Sequence, residues 1–269
     1  MEKDQQMELD KGLELHKAGR LAEAEKIYGK ILSACPGNAG ALHLLGLAAH
    51  HGGRHGEAVG FLVNAINNDP DNEKYLNNLG GVYMALGRKE KAAACFNDVL
   101  KVNPDSPDAH YNLGVILADD GDKDGAAECF RRAVALEPDS FDAHYNLGLA
   151  LSEGDDAEEV INCYRRAIEL NPGSAEAHNN LGTLLNKRGH MDEAEAALRR
   201  AIEIKPDYAE AHSNLGNVFC KQLKLDDAAA SHLKALAIKP DYAEAHSNLG
   251  VALNDLGRLD EAVASYQKA

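Results

Sequence analysis

The chain has 269 residues, 45% hydrophobic and 26% charged, a composition that supports a folded core and excludes a disordered tail. Its 43 acidic residues against 28 lysines and arginines leave a formal charge of −15, which repels nucleic-acid phosphates and anionic membrane surfaces. No stretch approaches the roughly 18 apolar residues of a membrane span, the start MEKDQQMELDKG lacks signal-peptide regions, and five cysteines without a CxxC pair suggest neither disulfide framework nor zinc knuckle, so a cytoplasmic protein with no cofactor and no metal is expected.

Seven prolines recur every 34 residues: Pro36, Pro70, Pro104, Pro138, Pro172, Pro206 and Pro240. Placing each at position 32 divides the chain into repeats 5–38, 39–72, 73–106, 107–140, 141–174, 175–208, 209–242 and an incomplete 243–269. Glycine then stands at position 8 of all eight, from Gly12 to Gly250. Position 20 holds alanine except for Val160, and position 24 is large except at His232. In repeat 4, Ala109, Leu113, Ile116 and Leu117 recur at helical spacing, as do Ala126, Phe130, Ala133 and Val134, so each repeat is predicted to be two short helices.

Along the chain the repeats differ in local chemistry. Repeat 2 carries His50, His51 and His55 among surplus glycines, each extra helical glycine costing roughly 1 kcal/mol, which makes it the expected weak point. Its three histidines also offer an opportunistic metal ligand set. Repeat 4 opens on Ser106, Pro107 and Asp108: an N-cap, a proline at the first helical position and a carboxylate on the helix dipole. Glycine at position 15 ends the first helix of six repeats by taking the left-handed conformation. Repeat 5 instead has Gly154 one place early and repeat 7 has Leu223, each expected to distort one turn. The sequence stops at position 27 of repeat 8, so a truncated chain or a covered end is expected.

Small residues at 8 and 20, leucine at 7, a bulky residue at 24 and proline at 32 resemble the tetratricopeptide repeat over nearly the whole chain. The resemblance implies an all-α, right-handed superhelical solenoid of tandem antiparallel hairpins, with the first helices lining a concave groove and residues 1–269 forming one solenoid.

Asparagine fills position 6 of six consecutive repeats: Asn78, Asn112, Asn146, Asn180, Asn214 and Asn248. Position 6 shares a helix face with 2, 9 and 13, one step from the buried leucine at 7, so the amides form a row along the groove. A carboxamide both donates and accepts, and can pair with the backbone of an extended peptide whatever its sequence. The row and its AHYNLG and AHSNLG surroundings are similar to the repeat region of the O-linked N-acetylglucosamine transferases. That family implies an extended protein substrate in the groove and chemistry in a separate domain. Against this stands duplication, since IKPDYAEAHSNLG occurs verbatim at 204–216 and 238–250, and an inherited or structural polar stripe would look the same.

Position 2 is acidic at Asp108, Asp142, Glu176, Glu210 and Glu244, which reads as solvated helix N-termini or as groove contacts to basic or hydroxyl-bearing side chains. His110, His144, His178, His212 and His246 recur at position 4, but neighbouring helices about 8–10 Å apart cannot share one metal, so they are packing residues. Cys95, Cys129 and Cys163 are small fillers on the same logic. The lysine needed at position 5 for a carboxylate clamp is absent from every repeat. The functional expectation is a non-enzymatic scaffold that binds extended polypeptide. The alternatives are the recognition arm of a protein O-glycosyltransferase and a self-assembling homo-oligomer.

Overall fold

The computed structural model describes residues 2–154 and 156–269, with side chains from Asp4 onward. Among the described residues there are sixteen α-helices and no strand. Contacts divide the chain into two compact bodies, residues 1–138 and 139–269. The N-terminal body contains hairpins α1 (Glu2–Lys17) and α2 (Leu21–Ala34), α3 (Ala39–His51) and α4 (His55–Asn68), α5 (Glu73–Ala85) and α6 (Lys89–Val102), and α7 (Pro107–Asp119) and α8 (Lys123–Leu136). The C-terminal body contains α9 (Phe141–Leu151) and α10 (Ala157–Leu170), α11 (Ala175–Arg188) and α12 (Met191–Ile204), α13 (Ala209–Lys221) and α14 (Leu225–Ile238), and α15 (Ala243–Asp255) and α16 (Leu259–Tyr266). From the second repeat onward, every first helix begins at position 1 of its repeat.

Three of the first helices start on a short polar cap. Asn38, Ser140 and Ser174 accept from the backbone N–H three residues on, at 2.9, 3.3 and 3.1 Å. Ser106 occupies the same cap position yet does not cap with its side chain, which corrects the sequence reading. Its fully buried hydroxyl donates to Glu73 Oε1 at 2.6 Å, a charge-assisted bond that turns the side chain toward Glu73 instead of its own helix. Glu73 also receives Asn103 Nδ2 at 2.9 Å, tying the end of α6 to the start of α5.

First helices end as expected at Gly19, Gly53, Gly87, Gly121, Gly189 and Gly257, whose φ values lie between 67° and 87°. Leu223 takes the same left-handed conformation, at φ 59°, with its side chain 82% exposed. Repeat 7 therefore keeps the turn that glycine makes elsewhere and strains a leucine to do so. In repeat 5, Gly154 is not left-handed, α9 is 11 residues rather than the 13 of α7, and Asp155 lies outside the described residues.

The position-8 glycines explain how the hairpins close. A Cβ on Gly114 would lie 2.7 Å from Phe130, on Gly148 2.7 Å from Tyr164, and on Gly182 2.6 Å from Leu198. The bulky residue at position 24 thus occupies the space that the missing side chain leaves. At repeat 7 that residue is His232, completely buried, with Nε2 unpartnered and its pKa pushed down to about 4 by burial. Within each body a first helix packs on its own second helix, the second helix packs on the next first helix, and first helices touch one another, as in α1 with α3 and α11 with α13. These contacts join α1, α3 and α5 in the N-terminal body and α11, α13 and α15 in the C-terminal body into a wall of first helices.

Candidate functional site

The leucines at position 7 that follow the asparagine row, from Leu79 to Leu249, are buried, and a step of about 100° around the helix places position 6 at the edge of the wall. All six asparagines are half-buried there. Three of them reach back 35 residues, to position 5 of the preceding repeat. Asn78 Nδ2 lies 2.7 Å from His43 Nε2, Asn180 Nδ2 donates to the Tyr145 hydroxyl at 3.2 Å, and Asn214 Nδ2 donates to Asn179 Oδ1 at 3.0 Å. Asn214 also donates to Thr183 Oγ1 at 3.0 Å, while Asn146 Nδ2 bonds the Asp142 carbonyl in its own helix at 2.9 Å. Burial, with Lys74 adding to it, pushes the His43 pKa down to about 4, so its Nε2 accepts from Asn78 at neutral pH. Asn112 and Asn248 make no side-chain hydrogen bond among the described residues. Asn77, which stands in the same 35-residue register to Asn112, keeps a buried Oδ1 without a partner.

In the C-terminal body the wall is open enough to hold ligand. A cavity of ≈ 450 Å³ is edged by Asn214, Asn217 and Asn248 in the middle, Lys187 and Lys221 on one side and Glu244 on the other. These are positions 6 and 9, 13, and 2: the face that the helical period assigns to the groove. A smaller cavity of ≈ 140 Å³ adjoins it across Thr183 and Lys187, floored by Val160 and Tyr164 and walled by Leu149, Leu184 and Asn180.

The acidic row serves in part as an ion-pair row. Glu176 lies 3.6 Å from Lys205 and Glu210 3.7 Å from Lys239, surface pairs worth about 0–1 kcal/mol each. Asp108, Asp142 and Glu244 are exposed at the same position.

Tetratricopeptide repeat family models match residues 9–73 and 77–136, 141–174, 163–196 and 243–269, and a TPR repeat model matches 182–222 and 216–255. The chain is a tetratricopeptide repeat protein. Solved TPR structures share its fold. YrrB, described as a TPR protein with an unusual peptide-binding site, aligns with TM-score 0.65 and 24% identity over 68% of this chain and 95% of YrrB. A MamA protein gives 0.59 and 28% over 64% and 94%. A tetratricopeptide repeat protein from Parabacteroides merdae ATCC 43184 gives 0.61 and 20% over 94% and 100%. No match is found among curated proteins.

Within the TPR frame the recurrent histidines have a defined partner. The ring Nε2–H groups of His110, His178, His212 and His246 donate to the carbonyls of Pro104, Pro172, Pro206 and Pro240 at 2.9–3.3 Å, each satisfying a carbonyl just past the preceding second helix. The sequence carried this signal in the fixed six-residue separation of proline and histidine. Cys95 and Cys163 are buried and Cys129 half-buried, and burial pushes the Cys95 thiol up to about 11. The histidines of repeat 2 bond as pairs: His50 Nδ1 with His55 Nδ1 at 2.9 Å, and His51 Nδ1 with His16 Nε2 at 2.7 Å. His16 was invisible as a partner in the sequence because it lies in the preceding repeat. Among the described residues no group of three or more His, Cys, Asp or Glu side chains is placed to hold a metal ion, and no helix is long and apolar enough to cross a membrane.

Proposed function

We propose that this scaffold binds extended polypeptide segments of other proteins along its wall of first helices, without catalysing a reaction itself. The observation that carries the reading is the row of half-buried asparagines at position 6, two of which, Asn214 and Asn248, edge an open cavity in the C-terminal body. The amide nitrogens of Asn78, Asn180 and Asn214 bond the preceding repeat, which fixes each amide in the wall. A fixed amide presents its carbonyl oxygen to a ligand backbone N–H at little entropic cost. Asn112 and Asn248, without such a bond, can offer both the donor and the acceptor. The row thus combines a structural role with a binding role, the two readings that the sequence left open.

The test is the pair of changes Asn112→Ala and Asn248→Ala, which remove amides the fold does not use. Stability should stay level or rise by up to about 0.5 kcal/mol per site, since alanine is the better helix former. Affinity for a pool of unstructured peptides, read by fluorescence anisotropy, should fall about tenfold regardless of peptide sequence. A variant that melts early yet binds like the parent would return the row to a purely structural stripe.

A further inference from the structure

The two cavities of the C-terminal wall adjoin across Thr183 and Lys187, which line both. The smaller one exposes Leu149, a large apolar side chain left 40% accessible on the wall, over a floor of buried Val160 and Tyr164. The larger one has Lys187 and Lys221 on one edge and a single carboxylate, Glu244, lining it. Two nearby groove acids, Glu176 and Glu210, already have lysine partners at the ends of α12 and α14. The two groove lysines have no such partner. Lys187 makes no ion pair among the described residues, and Lys221 donates only to the Asn186 carbonyl, at 2.8 Å. In a chain of net charge −15, the lining of this cavity carries two lysines against one carboxylate, with Asp255 close enough to act on Cys220.

We propose that the C-terminal groove selects segments carrying an acidic side chain, received by Lys187 and Lys221, two residues from an aliphatic side chain seated between Leu149 and Leu184. This rests on the groove reading above and names its ligand class. The spacing follows from geometry. Neighbouring first helices lie about 8–10 Å apart. Side chains two residues apart in an extended chain share a face and lie about 6.6 Å apart, a gap that a lysine side chain spans. The carboxylate would lie among ammonium and amide donors, while Asn214 and Asn248, which line the same cavity as the lysines, hold the adjoining backbone. This reverses the preference for basic ligands that the acidic row suggested in the sequence.

The experiment uses synthetic peptides of about 12 residues, amidated so that no terminal carboxylate competes, with Leu-x-Glu, Leu-x-Gln or Leu-x-Lys at the centre, titrated to about 1 mM by anisotropy. The Glu peptide should bind at least tenfold tighter than the Gln peptide, and added salt should shrink that margin. Lys187→Glu with Lys221→Gln should abolish the margin and favour the Lys peptide, with Lys187→Glu alone, which has no internal bond to lose, as the folding-neutral control. Asn214→Ala with Asn248→Ala should weaken all three peptides alike. Equal affinity for Glu and Gln peptides, both weakened by the asparagine changes, overturns the acidic selection and leaves the groove standing. Binding untouched by the asparagine changes, or no binding by any peptide, overturns the groove reading with it.

Discussion

In the C-terminal body one buried cluster runs from Val160 and Tyr164 through Leu198 and Val218 to Ala262, whereas the N-terminal body divides its buried residues among three clusters, around Tyr28, Leu62 and Phe96. The hairpin frame is the same in both, with glycine at 8 under a large residue at 24. What differs is the filling between hairpins. Repeat 2 places Gly52, Gly53, Gly56 and Gly60 and three histidines near its turn, while repeats 5 to 7 place Ile161, Leu185, Phe219 and Leu236 in a shared core. The groove faces diverge in parallel. Near the N-terminal end, His16, His50, His51 and His55 bond one another; near the C-terminal end, Lys187, Asn214 and Lys221 edge a cavity. The repeat dictates the frame, and the two bodies differ in the residues it leaves free.

The largest expected effect tests the frame itself. Phe130→Ala in the N-terminal body should cost about 3–5 kcal/mol and Leu198→Ala in the C-terminal body about 2–5 kcal/mol, because each empties the socket beneath a glycine. Equilibrium urea unfolding reads both. Near-neutral values in either body would break the claim that the two share one frame.

Acid should separate the bodies next. An unfolded histidine takes up its proton near pH 6.5, and buried His232 only near 4. Above pH 6.5 neither state is protonated and the full stability is present. As pH falls from 6.5 to 4 the unfolded chain gains the proton first, and about 3 kcal/mol is lost. His232→Phe, which installs the residue found at position 24 of repeats 3 and 4, should remove that loss from the C-terminal body. The N-terminal body should keep its own acid sensitivity through His43. Unfolding at pH 7 and 4.5, followed by hydrogen exchange resolved along the chain, checks this; an acid response unaltered by His232→Phe would acquit that residue.

How much of this was legible beforehand depends on whether the signal is local to one repeat. The starts of the first helices, the left-handed glycines and the pairing of Gly114 with Phe130 follow from the period, because each is fixed within one hairpin. Asn78 on His43 and Asn180 on Tyr145 join adjacent repeats, so the sequence left groove and structural stripe both open at position 6 and could not show that these amide nitrogens bond the wall. Ser106 was misread for the same reason: its partner Glu73 lies 33 residues away, and nothing nearby in sequence shows that a carboxylate turns the hydroxyl toward another repeat. Likewise Glu176 and Glu210 read as solvated helix N-termini or as groove contacts, and the lysines beside them, Lys205 and Lys239, lie too far along the sequence for one repeat to show them.

A smaller effect sharpens the contrast in core continuity. Gly56 and Gly60 both lie within α4, and a Cβ at either would meet no atom within 4 Å. Changing both to alanine should raise the stability of the N-terminal body by about 1–2 kcal/mol. Amide exchange in repeats 1 and 2, expected to be faster than in repeats 6 and 7, should slow toward them. Exchange already slower at the N-terminal end than in repeats 6 and 7 would contradict the ranking of the two bodies.

The smallest effect isolates one turn. Gly189 and Leu223 occupy position 15 of neighbouring repeats and both are left-handed, at φ 87° and 59°. An L side chain in that region costs about 1–2 kcal/mol, and glycine returns about 0.5–1 of this through its greater freedom in the unfolded chain. Leu223 gives up almost no burial when truncated, because 82% of it is exposed. Leu223→Gly should therefore stabilise the C-terminal body by roughly 0.5–1 kcal/mol. The converse, Gly189→Ala, should cost about 1 kcal/mol. Opposite shifts of the urea midpoint would show that the backbone imposes the left-handed turn on repeat 7 whatever residue it holds. A lower midpoint for Leu223→Gly would mean that the leucine makes a contact that outweighs its strain, and the turn of repeat 7 would then no longer be an unmodified copy of repeat 6.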